Sequence, residues 1–235
     1  MTVLKIEKAT NSIDKKLGEI LWENFDQNEI TEDSITGPVN DLVDHICKTN
    51  SIDKSKIKVH VVDKDEVNAF ALPDNYLVVY SGLIEACENE AELMGVLGHE
   101  IAHIEKKHVM KRLVKEVGLS VLISMTSGGG GDAIKEIAKM LSSSAYDRDL
   151  EREADMTSVD YLLKAHIDPE PFANFLYRLS EEQEGLPDQV YWISTHPESK
   201  ERAADIIEYA KNRVIEKKTI LSAQKWKQLK DKLDY

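Results

Sequence analysis

The chain has 235 residues, of which 42% are hydrophobic and 31% charged, a balance that suits one folded domain with a sizeable core rather than a disordered chain. A formal net charge of −13 argues against binding nucleic acid through phosphate neutralisation. Two cysteines, Cys47 and Cys87, are far apart and in no metal-like spacing, so they read as buried free thiols.

Residues 1–10 lack the apolar segment of a secretory signal, and no apolar run has the length of a membrane-spanning helix. The expectation is a soluble chain whose compartment stays open. An anchor upstream of Met1 is compatible with it, and a native start at Met1 would make it cytoplasmic.

Ile13, Leu17, Ile20, Leu21 and Phe25 recur at helical spacing and predict an amphipathic helix over 12–30. Gly37-Pro38 marks a break, with Pro38 in the first turn of a second helix that runs to about Lys48. These two helices, in 1–56, read as scaffold. From Ile57 the pattern changes to β-branched alternation, with strands at 57–62, 67–71 and 76–80 and turn chemistry at Pro73-Asp74-Asn75. The expected result is a small antiparallel sheet. Its segment Asn68, Ala69, Phe70 and Ala71 either pairs with an extended polypeptide substrate or only supports the following helix.

That helix opens at Asn89, capped with Glu92, and carries His99-Glu100-Ile101-Ala102-His103. Residues four apart share a helix face, so two neutral imidazoles can reach one Zn²⁺. Glu100 stands about 100° round the helix, placed to contact a water rather than to ligate. Leu93, Leu97, Ile101 and Ile104 form an apolar stripe, while Gly95, Gly98 and Ala102 form a small one that a second helix could approach. The helix is expected to run to about Val117. On it His108 falls roughly 140° from His103 and reads as a surface residue.

Residues 118–145 combine an apolar run, four glycines at 128–131 and an amphipathic stretch, which suits either a mobile lid or a plain linker. In Leu150-Glu151-Arg152-Glu153-Ala154-Asp155, Glu151 and Asp155 share a helix face. Glu151 could complete a His₂Glu metal set with one position left for water, and Asp155 could accept the spare N–H of a ligand histidine. A solvated acidic face is the plainer alternative. Ala154 and Ser158 are small enough to meet the glycine stripe. In Ser194-Thr195-His196-Pro197, His196 is a donor toward developing negative charge or a loop histidine. Residues 222–233 predict a short basic helix packed on the body, within a C-terminal helical segment 211–235.

HExxH, the ExxxD within LEREAD, and STHP followed by Arg202 together resemble metallopeptidase family forty-eight, the gluzincin family of the HtpX and CAAX prenyl endopeptidases. The likeness covers roughly residues 60–210, includes Asn68 to Pro73, and looks closest to soluble bacterial periplasmic members. It implies a mostly helical α+β zincin fold, a single domain over 1–235 with its catalytic core at 57–210, and one Zn²⁺ per chain. His99, His103 and Glu151 then look like the zinc ligands, Glu100 the catalytic glutamate, and Asp155 the partner of a ligand histidine. His196 falls on the family's downstream histidine near the zinc, with a catalytic or metal-gating role. Asp147 stands where members often carry serine. The membrane-embedded branch's helices are lacking, which favours cleavage of misfolded polypeptides over prenylated peptides. A periplasmic or membrane-associated setting, through a segment outside this chain, is also implied.

Two further readings stay open. One is a zinc-bound module that binds unfolded chains with little or no proteolysis, or is latent. The intact Glu100 argues against the first form. The other is an aminopeptidase, which would need an acidic anchor such as a GxMEN strand, and none is apparent.

Overall fold

In the computed structural model the described residues are 3–126, 131–143, 146–182, 196, 199–211, 213 and 216–233. Helices α1 (Val3–Trp22) and α2 (Asp33–Thr49) lead into a sheet of β1 (Glu29–Ile30), β2 (Lys58–Val62), β3 (Ala69–Leu72) and β4 (Tyr76–Tyr80). Then follow α3 (Ser81–Ala86), α4 (Glu90–Glu105), α5 (His108–Glu116), α6 (Leu119–Met125), α7 (Gly131–Ser143), α8 (Arg148–Lys164), α9 (Glu170–Glu182), α10 (Ser199–Ala210) and α11 (Ala223–Asp231). The fold is mostly helical, with a small sheet beside the helix that carries the HExxH residues.

The sheet is mixed, not antiparallel as expected. Its order is β1-β2-β4-β3, with β2 and β4 parallel and the other two pairings antiparallel. Neighbours in sequence suggested a meander, but residues 63–68 carry the chain past the end of β4 before β3 begins. Gly82 permits that crossing, because a Cβ there would lie 2.2 Å from the carbonyl oxygen of Asp65. The β3–β4 hairpin turns through Asp74 and Asn75, both left-handed (φ 60° and 61°), which these residue types tolerate. β3 is an edge strand, as the substrate reading requires, yet its four side chains are buried and α7 packs against it.

Three helices depart from the pattern. α1 covers Val3–Trp22 rather than 12–30: Asn24 Nδ2 donates to the carbonyls of Ile20 and Leu21 at its end, and the chain goes on into a short 3-10 turn and β1. α2 starts at Asp33, so Pro38 lies inside it rather than in its first turn. α4 ends at Glu105 instead of continuing to Val117, because Lys107 adopts a left-handed conformation (φ 57°) and α5 restarts at His108. Asn89 caps α4 as expected, its side chain accepting from the amides of Ala91 and Glu92.

α4 lies at the centre, packed on α8, α9, α2 and β3. The small-residue stripe does what its composition suggests. A Cβ at Gly98 would lie 2.7 Å from Ser158 Oγ, and one at Gly95 would lie 2.3 Å from Phe172. Ser158 donates to the Gly95 carbonyl at 2.8 Å, so α8 is held near backbone contact with α4. Both cysteines are buried free thiols. α11 is capped by Ser222 and packs on α2, and Lys230 donates to the carbonyls of Ile84, Glu85 and Cys87. Gly128–Gly130 of the glycine run, and Ser194, Thr195 and Pro197 beside His196, lie outside the described residues.

Candidate metal centre

The close approach of α8 to α4 brings Glu151 to the two histidines of α4. His99 Nε2 and His103 Nε2 lie 2.9 Å apart, and Glu151 Oε1 is 3.3 Å from His103 Nε2. The second carboxylate oxygen is 3.6 Å from His99 Nε2. His196 joins them, its Nδ1 3.2 Å from His99 Nε2 and 2.9 Å from Glu151 Oε2. One ligand atom from each of His99, His103, Glu151 and His196 falls within 4.8 Å of the others, and all four residues are buried. Three imidazole nitrogens and one carboxylate converging on one point form a donor set suited to zinc. Without a cation between them, such a cluster would bury polar groups facing one another at a cost.

The protonation states favour a metal. Burial lowers the His99 pKa to about 3, so its imidazole is neutral. Burial also lowers His196. For Glu151 burial acts upward, but the buried Arg202 guanidinium opposes it, and the carboxyl is held well below the usual range.

Each α4 histidine has its outer nitrogen engaged. His99 Nδ1 is 2.9 Å from Asp155 Oδ1. Arg202 clamps Asp155 through two 2.7 Å bonds and also donates to the His196 carbonyl at 2.9 Å. Its guanidinium lies 2.9 Å from Glu151 as well. A buried cation from α10 thus balances the two buried carboxylates of α8, Glu151 and Asp155. His103 Nδ1 meets His108 Nδ1 at 3.0 Å, and His108 Nε2 meets Glu153 at 3.2 Å. His108 is therefore not a surface residue; it is fully buried. The helical wheel misplaced it because it assumed one continuous helix. The missed signal was the polar Lys106-Lys107 step after Ile104.

Glu100 is fully buried, with Oε1 3.3 Å from His196 Nε2. Tyr146, which sequence reasoning passed over, lays its ring on His103 at 4.3 Å between centroids and stacks at 5.9 Å with His196. Asn68 is engaged with α7. Its Nδ2 donates to the Ser142 carbonyl of α7 at 2.9 Å, and Ala69, Phe70 and Ala71 lie beneath that helix. Arg112 of α5 donates to another α7 carbonyl, that of Met140, at 3.2 Å. Among the described residues no helix is long and apolar enough to cross a membrane.

Several known proteins resemble this chain. It is 29% identical over 205 residues to "Metalloendopeptidase OMA1, mitochondrial" of Bos taurus, covering 79% of this chain and 39% of that protein. It is 30% identical over 165 residues to "Metalloprotease LoiP" of Escherichia coli strain K12, covering 67% and 64%. It is 27% identical over 175 residues to "Beta-barrel assembly-enhancing protease" of Yersinia pestis, covering 68% and 35%. The chain thus spans less than two thirds of the length of each of these relatives. They include a mitochondrial protein as well as bacterial ones, so the narrower likeness to periplasmic members is not singled out. The sequence model of peptidase family M48 matches residues 34–210, which include all four clustered residues, Glu100, Asp155 and Arg202. By that match the chain belongs to peptidase family M48.

Proposed function

We propose that the protein is a zinc endopeptidase that hydrolyses peptide bonds in misfolded or unassembled polypeptides. The observation that carries this reading is the meeting of His99, His103 and Glu151 with the buried carboxylate of Glu100 beside them. His99, His103 and Glu151 would hold one zinc ion. When bound, zinc supplies Lewis acidity and lowers the pKa of water. Glu100 takes the proton of the attacking water and delivers it to the leaving amine. Asp155, held by Arg202, keeps the His99 proton on Nδ1 and its Nε2 lone pair turned inward.

His196 acts as a gate. With His99, His103 and Glu151 it makes a closed four-donor set, the pattern of a structural rather than a catalytic site. Its withdrawal opens a position for water and lets its imidazole stabilise negative charge on the scissile carbonyl.

Residues 118–145 serve as the lid. Its helix α7 lies on β3, where an extended substrate would add by backbone hydrogen bonds along Asn68 to Ala71. His99, Glu100, His103 and His196 are all fully buried. That burial favours a latent peptidase over a binding module that does not cleave.

Zinc content and activity test the reading together. The purified protein should carry one zinc per chain, a chelator should abolish cleavage of an unfolded protein, and added zinc should restore it. Cleavage that survives complete removal of metal would overturn the proposal.

A further inference from the structure

We propose that His108, backed by Glu153, is a positioning residue that sets the tautomer and aim of the metal ligand His103, and so the strength of metal binding. The proposal rests on the zinc reading above, and it adds a residue that neither the HExxH pattern nor the ExxxD pattern contains.

The argument is one of proton placement. His103 Nδ1 and His108 Nδ1 are 3.0 Å apart, so a proton lies between them and belongs to one ring. His103 Nε2 points into the cluster, 2.9 Å from His99 Nε2 and 3.3 Å from Glu151 Oε1. To offer a lone pair there, a neutral His103 carries its proton on Nδ1 and donates it to His108. His108 then accepts at Nδ1, carries its own proton on Nε2, and donates to Glu153 Oε2 at 3.2 Å. The reverse assignment fails at both ends. It would put a proton on His103 Nε2, aimed at the cluster, and turn a bare His108 nitrogen toward a carboxylate.

The chain path exists to make this contact. On a continuous helix residue 108 would stand well round from residue 103. The left-handed Lys107 (φ 57°) ends α4 and folds α5 back, which brings the fully buried His108 against His103. A left-handed conformation is strained for a lysine, and the contact between the two rings is what the turn yields. Both α4 ligands are then anchored from outside, His99 by the buried Asp155 and His103 by a neutral imidazole. Beyond the imidazole, Glu153 is partly exposed and lies 3.1 Å from Lys106 Nζ.

The test measures zinc affinity by competition with a chromophoric chelator, on the full chain, with urea unfolding of each apoprotein alongside. His108→Leu should weaken zinc binding about 10–100-fold. His108→Gln, whose amide can accept from His103 and donate to Glu153, should recover most of that loss although it packs no ring. If His108→Leu does not fold, Glu153→Ala against Glu153→Gln decides, with a severalfold weakening expected for alanine alone. Affinity of the leucine variant within twofold of wild type, or a glutamine variant as weak as leucine, overturns the positioning role and leaves the zinc reading standing. A wild type that takes up no zinc overturns both.

Discussion

Arg202→Met removes a buried cation that faces two buried carboxylates, and its cost follows from the bonds it breaks. The guanidinium makes two 2.7 Å bonds to Asp155 and one of 2.9 Å to the His196 carbonyl, and lies 2.9 Å from Glu151. Asp155 and Glu151 are almost wholly buried, so neither can recruit water in its place. Breaking such a pair from one side costs about 3–5 kcal/mol. With a urea m-value near 3 kcal/mol/M, the midpoint should fall on the order of 1–2 M. The pH dependence gives a sharper check. Burial acts upward on the Asp155 carboxyl, and Arg202 reverses it, so the folded wild type holds this group below its ordinary value. In the methionine variant burial acts without that opposition, and the folded pKa rises above the unfolded one. Ionised Asp155 then destabilises the variant at pH 7, and protonation relieves it as pH falls. The stability deficit should therefore narrow between pH 7 and 5. Arg202→Lys should lie between, since it keeps charge but not the two-pronged geometry. Urea denaturation of the three apoproteins at both pH values is the assay. A deficit under about 1 kcal/mol, or one that does not change with pH, would refute the reasoning.

Two further outcomes follow from burial and from the lid. In the apoprotein, burial depresses His99 to about 3 and His108 to about 4 from 6.5, so the unfolded chain binds protons that the folded one refuses. Their contribution to stability is therefore present above pH 6.5 and lost as pH falls toward 4, and thermal unfolding should show Tm dropping across that window. A Tm that rises on acidification from pH 7 to 5 would contradict this. Leu141 is buried where α7 meets the body, so Leu141→Asp should undock the helix from β3 and raise cleavage of an unfolded substrate at least about tenfold at equal zinc content. An unchanged rate would remove α7 from the lid.

Much of the centre was legible because its spacing is local. His99 with His103, and Glu151 with Asp155, are each four apart on one helix, and the small residues Gly95, Gly98 and Ser158 announced the contact that joins the two helices. What escaped depends on where the chain turns. A single left-handed residue, Lys107, moved His108 from the surface to the metal centre, and no helical periodicity records such a break. The parallel β2–β4 pairing depends on residues 63–68 crossing the end of β4, a choice that strand patterns do not encode. Tyr146 was overlooked because its role arises from packing against His103 across distant elements. That β3 sits at an edge agreed with expectation, while its cover by α7 shows only in three dimensions.

The most direct measurement compares wild type with Glu100→Gln, both loaded with one zinc per chain, on an unfolded protein substrate. The substitution keeps the shape and burial of the site but removes the base. The account predicts cleavage by wild type and a loss of at least about a hundredfold in the variant, with zinc affinity retained. Equal cleavage by the two proteins would contradict it.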